Sequence, residues 1–131
     1  MRYLKTLSAC VAVSIVSACD GGTVIDDAKN AYLPECPGQS LGKIVNGYFI
    51  NDFDQNTLWT AYRTDAEDIV RVTAEGNILY VGIVTKATLE MNYNAARDEL
   101  SLTDLSFNGE AQPRAFADSL VSNMCEKAKG L

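Results

Sequence analysis

Four thiols, 17 carboxylates and no imidazole bound the chemistry open to this chain of 131 residues. Without histidine, Ser-His-Asp and Cys-His catalysis are excluded, together with the commonest protein ligand for zinc. No Walker-type lysine follows a glycine-rich phosphate loop. The acidic cluster Asp65, Glu67 and Asp68 offers the oxygen donors that calcium prefers, but it lacks the glycine and the distal bidentate glutamate of a calcium loop. It reads as a solvated turn, and Asp52 with Asp54 reads the same way. A glycosidase-like carboxylate pair depends on a separation of about 5 to 10 Å, which the fold sets and not the sequence. The expectation is therefore a non-enzymatic protein with no metal and no cofactor, and the thiols become the informative residues.

The first two thiols fall in or beside a leader. Arg2 and Lys5 open the chain with positive charge, and Leu7 to Val16 form an apolar segment. At about ten residues it is too short for a bilayer-spanning helix, which needs about 20, and it has the dimensions of a secretory signal peptide. Val16-Ser17-Ala18-Cys19, at its end, resembles the lipobox of bacterial lipoproteins, in which an aliphatic and two small residues precede a cysteine. That resemblance implies cleavage of residues 1–18, a diacylglycerol thioether on Cys19 and acylation of the new amino group. Two or three acyl chains, each buried CH2 contributing about 0.8 kcal/mol, hold a protein firmly without a further membrane element. Asp20 resembles the sorting signal that keeps such lipoproteins in the inner membrane, the outer membrane being the other destination. The implied location is the periplasmic side of a cell membrane.

Removing residues 1–18 leaves 113 of the 131 residues, enough for one domain with a modest core. Arg2 and Lys5 leave with the leader, so the net charge moves from −6 to −8. An acidic chain is unsuited to nucleic acid and to anionic lipid headgroups, both of which are held through Lys and Arg. Cys10 goes with the leader and Cys19 is lipidated, which leaves Cys36 and Cys125. In an exported chain two such thiols pair more often than they stay free. A reactive pair is the weaker alternative, since neither lies in a Cys-X-X-Cys spacing.

The elements that must position these groups follow from periodicity. Residues 19–35 read as the lipidated cysteine and a flexible tether, with only a poor helical signal over Val24 to Tyr32. Residues 36–131 read as one α+β domain, entered through Pro34 and Pro37. Ser40 is the expected N-cap of an amphipathic helix whose stripe is Leu41, Ile44, Val45, Tyr48 and Phe49. A period of two then predicts an antiparallel meander of about five strands. These are Leu58 to Tyr62, Asp68 to Ala74, Ile78 to Val84, Lys86 to Tyr93 and Glu99 to Phe107. Glu75-Gly76-Asn77 is the expected turn between the second and third. In the last strand Leu100 and Leu102 are out of phase with Leu105 and Phe107, which predicts a bulge near Thr103-Asp104. Pro113 opens and Gly130 closes a final helix bearing Phe116, Leu120, Val121 and Met124, expected to pack on one sheet face with Cys125 beside that stripe. Trp59 and Tyr62 are three apart and so face opposite sides of their strand. One belongs in the core, and an exposed one is a candidate partner contact.

Several landmarks together resemble a widespread family of small bacterial extracytoplasmic domains, tethered by a lipobox or a transmembrane helix, to which no activity is attached. They are Ser40-Leu41-Gly42 leading into Tyr48-Phe49, Trp59, Val72 before Gly76, Tyr80, and Asn108-Gly109-Glu110-Ala111-Gln112 ahead of the last helix. The resemblance implies fold and compartment. The functional expectation is a membrane-anchored binding domain with a protein or envelope partner. Two alternatives stand beside it: an inhibitor or immunity lipoprotein that caps a toxin or envelope hydrolase, and a pilot or assembly lipoprotein of a secretion system.

Overall fold

The computed structural model describes residues 21–52 and 56–130. Three helices and an antiparallel sheet make an α+β fold in the order α1 (Gly21–Lys29), α2 (Leu41–Tyr48), β1 (Leu58–Arg63), β2 (Ile69–Tyr80), β3 (Ile83–Asn94), β4 (Glu99–Phe107), β5 (Glu110–Ala111) and α3 (Arg114–Lys129). The five strands lie side by side in sequence order.

One hydrophobic cluster runs through the molecule. Val70, Val72, Ala74 and Ile78 of β2, Ala87, Leu89, Met91 and Tyr93 of β3, and Leu100, Leu102 and Leu105 of β4 supply one face of the sheet to it. The helices supply Val24, Ile25 and Ala28 of α1, Leu41, Ile44 and Val45 of α2, and Ala117, Leu120, Val121 and Met124 of α3. Helix α2 begins where the sequence places it, because the Ser40 side chain accepts from the Lys43 N–H at 3.4 Å. Helix α3 follows Pro113 and stops at Gly130. Its main neighbour is α2, and it reaches the strands through Phe116, whose ring meets Tyr80 and Phe107 edge-on at 5.6 and 5.5 Å.

The phase slip in β4 is resolved as expected. Glu90 pairs with Asp104 and Met91 with Leu102, so Thr103 is the extra residue of a bulge. Its hydroxyl donates to the Glu90 carbonyl at 2.8 Å, and the slip lets Leu100, Leu102 and Leu105 all reach the core.

Two expectations are corrected. Glu75-Gly76-Asn77 is not a turn; β2 continues through it, with Gly76 paired to Ala87. The glycine serves packing, since a Cβ at position 76 would lie 2.9 Å from the Phe49 ring. The reversal comes at Val81-Gly82, both left-handed (φ 51° and 77°), so residues 78–80 belong to β2, and one long strand replaces the expected third and fourth. The expected tether is helical over Gly21–Lys29, and α1 buries Val24, Ile25 and Ala28 against β1 and α2. The Lys29 carbonyl and Cβ would lie 3.3 and 3.2 Å from a Cβ at Gly42, so the close approach that glycine permits is between two helices.

Candidate binding cleft

The segment after α1 is shaped by prolines and a disulfide. Leu33 is fully buried, and its carbonyl accepts from the Cys36 N–H at 2.8 Å, closing a turn over Pro34 and Glu35. Cys36 is joined to Cys125 of α3, with Cα atoms 5.7 Å apart and 89 residues between them in sequence. Arg114 supports the same segment. Its guanidinium donates to the Leu102 carbonyl at 2.7 Å beside the bulge and lies 3.7 Å from Glu35 and 3.1 Å from Asp118. The loop is thus fastened to α3 and β4, leaving Tyr32, Pro34 and Pro37 exposed.

Facing it is the end of the sheet that carries the β3–β4 turn. Ile69, Asn94 and Glu99 form one cross-strand row, and Asn92 with Ser101 begins the next. The turn is held from inside. Tyr93 is buried, and its hydroxyl donates to Asp98 Oδ1 at 2.6 Å, fixing a residue in the left-handed region (φ 55°). Asn94 Oδ1 accepts from the Arg97 N–H at 3.1 Å, and the Asp68 carbonyl accepts from the Ala95 N–H at 3.1 Å. On the open face Asn92 Oδ1 accepts from Arg71 Nε at 2.8 Å, while Arg71 Nη1 pairs with Glu90 at 3.1 Å.

Between loop and sheet end lies a cleft of about 650 Å³. Tyr32, Pro34, Pro37, Ile69 and Leu100 supply apolar wall, and Asn92, Asn94, Ser101, Asp98 and Glu99 supply polar groups. Among the described residues that line it there is no lysine or arginine. Such a site offers an aromatic face, carboxamide donors and carboxylate acceptors. Those are the means of recognition, an apolar concavity with a few placed polar groups.

The residues singled out by sequence are distributed around this site. Cys36 and Cys125 form the expected disulfide and hold one wall. Trp59 packs against the core, with Lys29 Nζ 4.9 Å from its ring centre, and Tyr62 lies on the opposite, open face; neither lines the cleft. Asp65 and Glu67 are exposed in the β1–β2 turn, which Thr64 closes by donating to the Ile69 carbonyl at 2.8 Å. Cys19, Asp20 and Asp54 lie outside the described residues. Among the described residues no three Cys, Asp or Glu side chains gather as a metal site, and no helix is long and apolar enough to cross a membrane.

Ser40, the expected N-cap, also lies in a spacing that invites a catalytic reading. Gly38-Gln39-Ser40-Leu41-Gly42-Lys43 contains both the Gly-X-Ser-X-Gly and the Ser-X-X-Lys spacings of acyl-transfer enzymes. Ser40 and Lys43 line a shallower hollow of about 500 Å³ with Lys29, Asn30 and Asn46. The setting differs from a nucleophile elbow, which needs a strained serine between a strand and a helix. Ser40 is unstrained (φ −67°, ψ 158°), follows a turn, and spends its oxygen capping α2.

No protein-family model, no characterised protein and no solved structure matches this chain. The landmarks quoted for an extracytoplasmic family gain no support there, and several have local duties instead: Ser40 caps a helix, Gly76 admits Phe49, and Asn108-Gly109 makes a left-handed turn.

Proposed function

We propose that this chain is a lipid-anchored, non-enzymatic binding domain on the periplasmic side of a bacterial membrane, and that the cleft is where it meets a protein or envelope partner. The observation that carries the binding role is the cleft itself, with polar groups positioned by Tyr93 and Arg71 and the facing wall held by the Cys36–Cys125 bond. The compartment is supported by the lipobox-like Val16-Ser17-Ala18-Cys19 and by the disulfide, since such bonds persist in oxidising environments. In this reading α3 covers the inner sheet face, supported by the Phe116 contacts, and leaves the outer face free.

A second reading, an inhibitor or immunity lipoprotein, is favoured by the β2–β3 turn. Leu79, Val81, Ile83 and Val84 are all exposed there, a protruding apolar tip of the kind that enters a partner's pocket.

Labelled palmitate fed to cells expressing wild type and Cys19→Ser tests the anchor. Label in the wild type alone is expected, and equal label in both overturns it. A photo-crosslinking residue placed in turn at Tyr32 and Val81 separates the two binding readings. Capture of one defined envelope component from Tyr32 supports the first, and capture of a toxin or hydrolase from Val81 alone replaces it with the second.

A further inference from the structure

The geometry points to the ligand class: we propose that the cleft takes an extended, cationic segment of a partner protein, an inference that rests on reading the chain as a binding domain. Asn92 and Asn94 occupy alternate positions on one strand, facing the same side at a spacing of about 6.8 Å. Each carboxamide has its oxygen committed, one to Arg71 and the other to the Arg97 N–H, so the NH2 group is what remains for a ligand. An extended peptide repeats carbonyls of like direction every second residue, at that same spacing. Two fixed amide donors can therefore hold two alternate carbonyls and set the register of the bound segment.

The remaining walls select the side chains. Asp98 and Glu99 place carboxylates at the rim; the neighbouring cations, Arg97 at 3.9 Å from Glu99 and Arg71 bonded to Asn92, do not themselves line the cleft, and the whole chain carries a net charge of −6. Arginine or lysine is complemented there, whereas an acidic segment or a phosphate is repelled. The exposed Tyr32 ring, flanked by Pro34 and Pro37 and facing Ile69, suits a proline or aliphatic side chain next to the cation. The disulfide and Arg114 hold that wall in place before binding, which lowers the ordering cost.

The test presents the full chain, in mild detergent, to a positional array of blocked octapeptides. NMR titrations then use the best peptide and, separately, the tetramer of N-acetylglucosamine. The expected result is enrichment of Arg or Lys beside Pro or an aliphatic residue. Binding should weaken about tenfold between roughly 0.05 and 0.3 M salt, and about tenfold again in Glu99→Gln, a loss of about 1.4 kcal/mol. In the wild type the side-chain NH2 resonances of Asn92 and Asn94 should shift on titration, a readout that needs no variant to fold. An array that is flat or prefers acidic peptides, resonances that stay still while peptide saturates, or shifts caused by the sugar and not the peptide would each overturn the assignment. Palmitate labelling depends on Cys19 alone, so failure here and failure of the anchored reading are told apart.

Discussion

At one end of the sheet the β3–β4 turn is fastened from several directions: a buried phenol holds Asp98, carbonyls and carboxamides close the loop, and a disulfide-bonded segment lies across from it. At the other end the β2–β3 turn stands free, with Val81, Ile83 and Val84 79%, 68% and 57% exposed. Its support comes from below, where Tyr80, Phe107 and Phe116 pack with ring centres 5.2 to 5.6 Å apart. The same two strands thus finish in a positioned polar cleft and in a bare apolar tip. On the proposed reading, polar recognition needs groups held to within a fraction of an ångström, and the fastenings at that end supply such support. Apolar burial is non-directional and tolerates a tip that is simply presented.

The largest test of this contrast is the disulfide. Closing an 89-residue loop is worth about 4 to 5 kcal/mol in the chain-entropy model, with native strain subtracting from it. Cys36→Ser with Cys125→Ser should lower the unfolding free energy by that order, read as a lower denaturant midpoint. Hydrogen exchange should quicken first in the Tyr32–Ser40 segment, below the free energy of global unfolding. If the β2–β3 turn loosens equally, the two ends are not separately supported and the contrast fails.

A smaller effect, of opposite sign, is expected at the tip. Val81 is β-branched and holds a left-handed conformation that costs an L-residue about 1 to 2 kcal/mol. Asn tolerates that region, and Asn-Gly is the preferred pair for such a two-residue turn. Val81→Asn should therefore raise stability by about 1 kcal/mol, read as a higher urea midpoint at unchanged m-value. A loss instead would mean that the valine side chain makes stabilising contacts and the tip is not bare. A gain accompanied by weaker partner binding would show strain kept for function.

How far the sequence discloses these two ends differs for physical reasons. Glu99 to Phe107 is legible to its limits, because four leucine and phenylalanine positions in two phases permit only a bulged strand. The tip is hidden because the glycine that looks like a turn, Gly76, is needed to admit Phe49, while the real turn opens with valine, a residue turn chemistry disfavours. Helix α1 is obscured by its Gly21-Gly22 start and short apolar stripe, and tertiary burial of Val24, Ile25 and Ala28 outweighs the weak propensity. The disulfide follows from counting thiols. The cleft does not, since only strand register sets Asn92 and Asn94 beside Glu99, Ser101 and the Tyr32–Pro37 loop, which lies far from them in sequence.

The smallest effect separates the two ends by pH. Tyr48, at the end of α2, has its hydroxyl held above the ordinary 10.0, first by burial and second by the neighbouring Tyr80 at the base of the tip. A tyrosine whose folded pKa exceeds its unfolded value keeps its proton more tightly when folded. Its contribution to stability is therefore complete below pH 10.0 and is lost as pH rises through the folded value. As the pH rises above 10.0 the wild type should lose stability that Tyr48→Phe retains, and the ultraviolet titration of that variant should lose one phenolate step lying above 10.0. Tyr80→Phe, which removes the second cause and leaves the first, should move that step down only part of the way. If exchange in this alkaline range accelerates at the Tyr80–Val84 amides before those of Arg97–Glu99, the aromatic base is what holds the tip. The reverse order would place the weaker fastening at the cleft, against the whole distinction between the ends.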